Sequence, residues 1–237
     1  STEFILNFYE LRLKKYLDKI FEIYSKRFNV ENIQFMKLES ISKSGIFLGK
    51  DKYILNTVWE QGNISYNSLE NIIAKGGELI QKDTPTFIRT KLEKTIKLIL
   101  KEGKSLDINK LSIAVKKVKN EFKLQEIEHI SYNVKINDYD NFIIEDKIRI
   151  ETISHCPIHI KAAAIYNYML HNSKFREKYG LLNSKDRVKY YYCKTKNTVF
   201  GFKAGQFPIE FAPEFDYDTM FYKTFITPIN KILKVIN

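Results

Sequence analysis

The chain has 237 residues, with 39 Lys+Arg against 28 Asp+Glu and a formal charge of +11. Hydrophobic residues make up 44% and aromatics 14%, with 17 Phe and 15 Tyr; this is enough apolar surface for a packed core and excludes a disordered or low-complexity chain. No apolar run approaches the roughly 20 residues a membrane span needs, so no membrane insertion is expected. The surplus of positive charge predicts a polyanionic partner, nucleic acid ahead of an anionic lipid surface.

Residues 3–28 place Phe4, Phe8, Leu11, Leu17, Ile20, Phe21 and Tyr24 at spacings of three and four, with lysines between them. That pattern predicts one long amphipathic helix. Short β-rich runs follow at 34–38, 44–48 and 52–59, separated by turns at 40–42 and Gly49, and they read as an antiparallel group. Gln61-Gly62-Asn63 marks another turn, and the polar stretch 67–77, with Gly76-Gly77, is a candidate bridge between two domains.

Beyond it, Asp83-Thr84-Pro85 reads as a helix start, with Phe87, Leu92, Ile96, Ile99 and Leu100 as the buried stripe and Gly103 as the stop. Further helices are predicted at 108–122, at 158–170 after Cys156-Pro157, and at 218–236. A β pair is expected at 188–194 and 198–202, and 207–213 reads as irregular. There is no internal repeat. The class is α+β in two lobes, a long helix with a small sheet followed by a mostly helical half.

Catalytic signals are sparse. Asp138/Asp140 and Asp216/Asp218 are the close Asp pairs, a pattern that could hold a divalent metal. The first pair also suits a turn, and Asp218 suits a helix cap. His155 and His159 are four apart, yet Pro157 separates them and no HExxH string exists. Cys156 and Cys193 have neither metal-site nor disulfide-framework spacing, which fits a reducing cytosol. No GxSxG elbow, GxGxxG loop or Walker A string is present. No catalytic residue and no resident metal is predicted for this chain.

The basic segments carry more. Lys50, Lys52 and Tyr53 stand where a turn enters a strand, so their side chains could reach a phosphate backbone or a minor-groove edge; a solvated sheet edge would also suit them. Lys82 and Thr84 precede one helix start, while His159 and Lys161 lie in the first turn of another. Free backbone N–H groups at such ends can hold phosphate, and each end could equally be a plain cap.

These segments resemble family B DNA polymerases, most closely those of T4-like bacteriophages. GIFLGKDKYILN over 45–56 resembles the palm strand with the Lys-x-x-Tyr type motif. GELIQKDTPTFIR over 77–89 looks like the palm-to-thumb junction, and CPIHIKA over 156–162 with Tyr166-Asn167 looks like a thumb helix. DYDTMFYKTFITP over 216–228 resembles the last thumb helix. The resemblance implies that 1–75 is the C-terminal part of a palm and 76–237 a thumb closing over product duplex. It implies primer–template contacts from Lys50, Lys52, Tyr53, Lys82, Thr84, His159 and Lys161; Asp51 departs from the family's more basic string.

The family's catalytic motifs, of the DxxSLYPS, YxDTDS and KxxxNSxYG types, are absent. The resemblance therefore implies a split subunit or fragment, inactive alone. An upstream chain would supply exonuclease, fingers and the aspartates that bind Mg2+. The first residue is not Met, which suggests a cut or processed chain. The family's acidic-aromatic tail is missing, so sliding-clamp docking through this terminus is not expected. A phage origin implies the bacterial host cytoplasm. A stand-alone duplex-binding protein of thumb shape is the alternative expectation.

Overall fold

The computed structural model describes residues 1–61, 63–64, 72–75, 83–137, 139, 156–195 and 198–236. The chain is α+β and divides into two compact units, Ser1–Lys75 and Gly76–Asn237.

In the first unit the predicted long helix is a continuous helical run in three parts. Helix α1 (Thr2–Phe8) passes through a π-helical turn at Tyr9–Leu13 into α2 (Lys14–Phe28), which ends where Asn29 takes a left-handed conformation. The π turn rotates Tyr9 inward, and it is the one buried residue of the run. Its phenol donates to Met36 O at 2.8 Å and accepts from Leu38 N at 3.0 Å. Those bonds satisfy backbone groups that a β-ladder would otherwise take, so 34–38 is not the strand the sequence suggested.

Strand β1 (Ser40–Gly49) runs through the polar stretch expected to be a turn at 40–42 and pairs antiparallel with β2 (Lys52–Glu60). Register shifts between Ile41 and Ser42 and between Ser42 and Ser44 absorb the extra residues as bulges. Strand β2 also pairs antiparallel with β3 (Asn63–Ile64) and β4 (Ile72–Lys75). Ile41, Ile46 and Ile54 form the small buried side of this sheet.

The second unit begins with α3 (Thr86–Glu102) and α4 (Ile108–Lys123). Ile88, Leu92, Ile96 and Ile99 of α3 are buried with Leu111 and Phe122 of α4. Asp107 caps α4, its carboxylate accepting from the N–H groups of Asn109 and Lys110. After the short α5 (Ile127–Ile130) comes β5 (Tyr132–Lys135), which the sequence analysis lacked.

Helix α6 (Ile158–His171) follows, then β6 (Arg187–Tyr192) and β7 (Val199–Lys203). The expected β pair is thus a three-stranded antiparallel sheet in the order β5-β6-β7. The closing helix comprises α7 (Tyr217–Phe221), a second π-helical turn at Tyr222–Ile226, and α8 (Thr227–Ile236).

The position of α6 follows from small residues on both sides of its contact with the sheet. Ala162, Ala163 and Ala164 are buried, and a Cβ on Gly201 of β7 would lie 2.8 Å from both C and O of Ala162. Helix backbone meets strand backbone here with no side chain between them. Tyr166, one turn on, donates its phenolic hydrogen to Gly180 O at 2.9 Å, and Asn167 Nδ2 donates to Leu182 O at 2.7 Å. Tyr191 lies within a cluster containing Phe200, Phe202, Phe207 and Phe215, and much of the chain's aromatic content is spent on this core.

Candidate nucleic-acid interface

In the first unit, Lys50 and Asp51 form the turn between β1 and β2, with Gly49 paired to Lys52. Asp51 takes φ 58°, a left-handed conformation that Asp tolerates better than most side chains. This gives Asp51, the acidic departure within the basic string, a backbone reason for its place. Lys50 and Lys52 are exposed, and neither has an ion-pair partner among the described residues. Tyr53 is half-buried, its ring 6.2 Å from that of Phe47 across the strand pair, so it is a braced aromatic beside two exposed cations.

In the second unit, α3 and α6 begin alike. Pro85 and Pro157 precede them with extended ψ values of 136° and 139°, and among the described residues no side-chain cap bond is made at either end. Their first N–H groups are therefore available to an external acceptor. Thr84 is buried, and its carbonyl accepts from Arg89 Nη2 at 3.1 Å, which ties the entry of α3 to its own first turn.

Asp83 is held by two bonds to the sheet: its carbonyl accepts from Asn133 N at 3.1 Å and its carboxylate from Arg187 Nη2 at 3.3 Å. Arg187 also donates from Nε to Asn133 Oδ1 at 3.0 Å. The guanidinium thus compensates the carboxylate nearest the two helix ends.

His159 and Lys161 sit in the first turn of α6, both partly exposed. Burial pushes the His159 imidazole below its ordinary value, and the negative charge of Asp83 opposes that fall. His159 is consequently neutral at pH 7 and can donate a hydrogen bond without adding a full charge. Lys161 has no ion-pair partner among the described residues, and its field lowers the Cys156 thiol, although burial wins and the thiol is raised. Cys193, buried on the edge of β6, is pushed up to about 11. Neither cysteine is poised as a nucleophile.

The structure therefore brings Asp83, the neighbour of Thr84 in sequence, into electrostatic range of His159, with Lys161 in the same helical turn. Lys50, Lys52 and Tyr53 form a separate group in the other unit. Lys82, Asp138, Asp140 and His155 lie outside the described residues.

Asp218 does not cap the last helix as the sequence suggested. Asp216 is the cap, accepting from Thr219 N at 2.9 Å and Thr219 Oγ1 at 2.7 Å, while Asp218 pairs with Lys119 at 2.8 Å. The residue two positions earlier wins because its β-region backbone aims its carboxylate at the helix N–H groups.

Sequence reasoning missed Arg187, Asn133 and an aromatic cleft beside Thr84. Arg187 carried a faint signal as one of few arginines in a Lys-rich chain, since Arg suits a fixed fork of bonds. The cleft encloses about 370 Å³ between Thr84, Tyr132, Tyr192, Tyr222, Lys223 and Thr227. Its walls come from four separate stretches of chain, which no local pattern links.

Among the described residues no three His, Cys, Asp or Glu side chains converge as ion ligands would. Among them, too, no helix is long and apolar enough to cross a membrane. No family model matches the chain, and no curated protein matches it in sequence.

Proposed function

We propose that the chain is the palm–thumb portion of a family B DNA polymerase, working in the cytoplasm of a bacterial host. It grips primer–template duplex while another chain supplies the nucleotidyl-transfer carboxylates and their Mg2+ ions. The observation that carries this reading is the pairing of four ordered sequence motifs with a common chemistry: cations without carboxylate partners at Lys50, Lys52 and Lys161, next to a strand turn or an uncapped helix start.

Each residue then has a defined task. Lys50, Lys52 and Lys161 neutralise phosphates and release counterions, which gives affinity without sequence preference. The Thr84 hydroxyl and the N–H groups behind Pro85 and Pro157 donate to phosphate oxygens at fixed positions. His159, neutral at pH 7, donates a directional bond, and Tyr53 lies against the sugar edge. Lys82, beside Asp83 in sequence, joins this set by its motif position. The chain contributes orientation and electrostatic hold, and no bond chemistry.

Phe4, Phe8 and Leu11 on the first helical run are 68%, 52% and 62% exposed. A contiguous apolar face of this kind favours a covering partner chain over a stand-alone duplex binder. The test is complementation. The purified chain should incorporate no nucleotide alone and should restore primer extension when mixed with the upstream polypeptide; extension by the lone chain would overturn the split, and failure of every such mixture would overturn the polymerase reading.

A further inference from the structure

We propose that the cleft beside Thr84 is a subsite for one unpaired nucleotide of a single nucleic-acid strand, with its base against the tyrosines and its phosphate on Lys223. The volume of about 370 Å³ is at the small end of the roughly 300–1,000 Å³ range of ligand sites. Three of its walls are aromatic: Tyr132, Tyr192 and Tyr222. Among the described residues no Asp or Glu lines it, and Lys223 is the one formal charge there. Apolar ring faces, hydroxyl groups and a single cation make up the chemistry that single-strand sites combine.

The local structure makes this a built surface. Tyr132 stacks on Tyr190 across β5 and β6 with ring centres 4.8 Å apart and planes 14° apart, so its orientation is fixed by a buried neighbour. The Lys223 amine stands 4.8 Å over the ring of Tyr192. That cation–π contact holds the charge above the cleft, where a phosphate can exchange for part of the contact.

The second π-helical turn, Tyr222–Ile226, re-aims the chain here. It buries Thr224 and Phe225 while presenting Tyr222, 58% exposed, and Lys223 together, and such single-turn π segments are frequent at functional positions. Thr227 donates to Tyr222 O from its backbone N–H and again from Oγ1, the latter at 3.0 Å, which pins the wider turn at its end. The nearby Asp83 carboxylate is paired with Arg187 and so does not oppose an incoming phosphate.

An unpaired base is required because stacking on a wall tyrosine needs a π-face not already covered by neighbouring base pairs. The subsite shares Thr84 with the duplex-grip reading but does not depend on it: duplex neutralisation runs through Lys50, Lys52 and Lys161, none of which lines the cleft, and Tyr222 and Lys223 have no part in that grip.

The experiment measures anisotropy of a fluorescein-labelled oligothymidylate and of a labelled hairpin duplex, with the whole chain and with Tyr222→Ala, Tyr222→Phe and Lys223→Gln. Tyr222→Ala is expected to weaken oligothymidylate binding about tenfold and leave duplex binding unchanged, with Tyr222→Phe close to the parent. Lys223→Gln should reduce the single-strand salt slope by about 0.7. Unchanged oligothymidylate affinity in Tyr222→Ala would overturn the subsite, as would an equal loss on duplex. Free dTMP binding as tightly as the oligonucleotide would overturn its assignment to a strand. A parent chain that binds the oligonucleotide through Tyr222 but ignores the duplex supports the subsite and counts against the polymerase grip.

Discussion

Replacing Gly201 by Ala probes the contact that places α6, and with it His159 and Lys161. The new Cβ would lie 2.8 Å from Ala162 C, Ala162 O and Val188 Cγ2. Carbon atoms settle about 3.5–4.0 Å apart, so the two carbon contacts are each short by about 0.7 Å or more. The Val188 methyl can turn aside, but the Ala162 backbone belongs to a helix held by Tyr166 and Asn167 and moves only as a unit. Gly201 is not among the residues with positive φ, so the cost is steric and not conformational.

Overpacking of this kind costs about 1–3 kcal/mol. At about 2–4 °C per kcal/mol for a domain of this size, the melting temperature should fall by about 2–12 °C. Differential scanning calorimetry of Gly201→Ala beside Gly180→Ala is the assay. Gly180 has no positive φ, and the nearest atoms to its Cβ are flexible tips at 3.8 and 3.9 Å, so that variant should melt like the parent. If Gly201→Ala also melted with the parent, the helix would not rest on the strand as described, and the placement of His159 and Lys161 would lose its foundation.

The other predictions concern single contacts. Tyr9→Phe removes both bonds to the 30–39 segment and leaves Met36 O and Leu38 N to find other partners, at a cost of about 1–3 kcal/mol; native-state hydrogen exchange should lose its protection at Leu38, and retained protection would refute the tether. Because burial lowers the pKa of His159 below 6.5, its neutral form stabilises the fold above that pH, and the contribution is lost as pH falls through the lowered value. His159→Gln should therefore flatten part of the decline in melting temperature between about pH 7 and 5, and parallel curves would sink the assignment. Lys52→Ala and Lys161→Ala should each weaken duplex binding across all sequences and reduce the salt slope by about 0.9; an unchanged slope removes that lysine from the contact set.

The helices of the second unit were legible because their determinants are local. The apolar stripe from Ile88 to Leu100, the Pro before each helix start and the stop at Gly103 act within a few residues of one another. The same holds for the turn at Lys50-Asp51 and for the cation at Lys161. The expected strand at 34–38 fails for the opposite reason: Tyr9, 27 residues away from Met36, claims backbone groups that a ladder would have used. Strand β5 escaped notice because four residues carry little pattern and become a strand only by pairing with β6.

The sequence by itself determined the helical periodicity, the positive field and the residue types at each turn, since these follow from neighbours along the chain. Tertiary structure alone decided that Asp216 and not Asp218 caps the last helix and that Gly201 lets α6 touch the sheet. It also decided that Tyr132, Tyr192 and Tyr222 share a cleft. Those outcomes depend on which backbone groups and side chains distant segments bring within a few ångströms of each other, and chain closure over such separations leaves no periodic trace in the sequence.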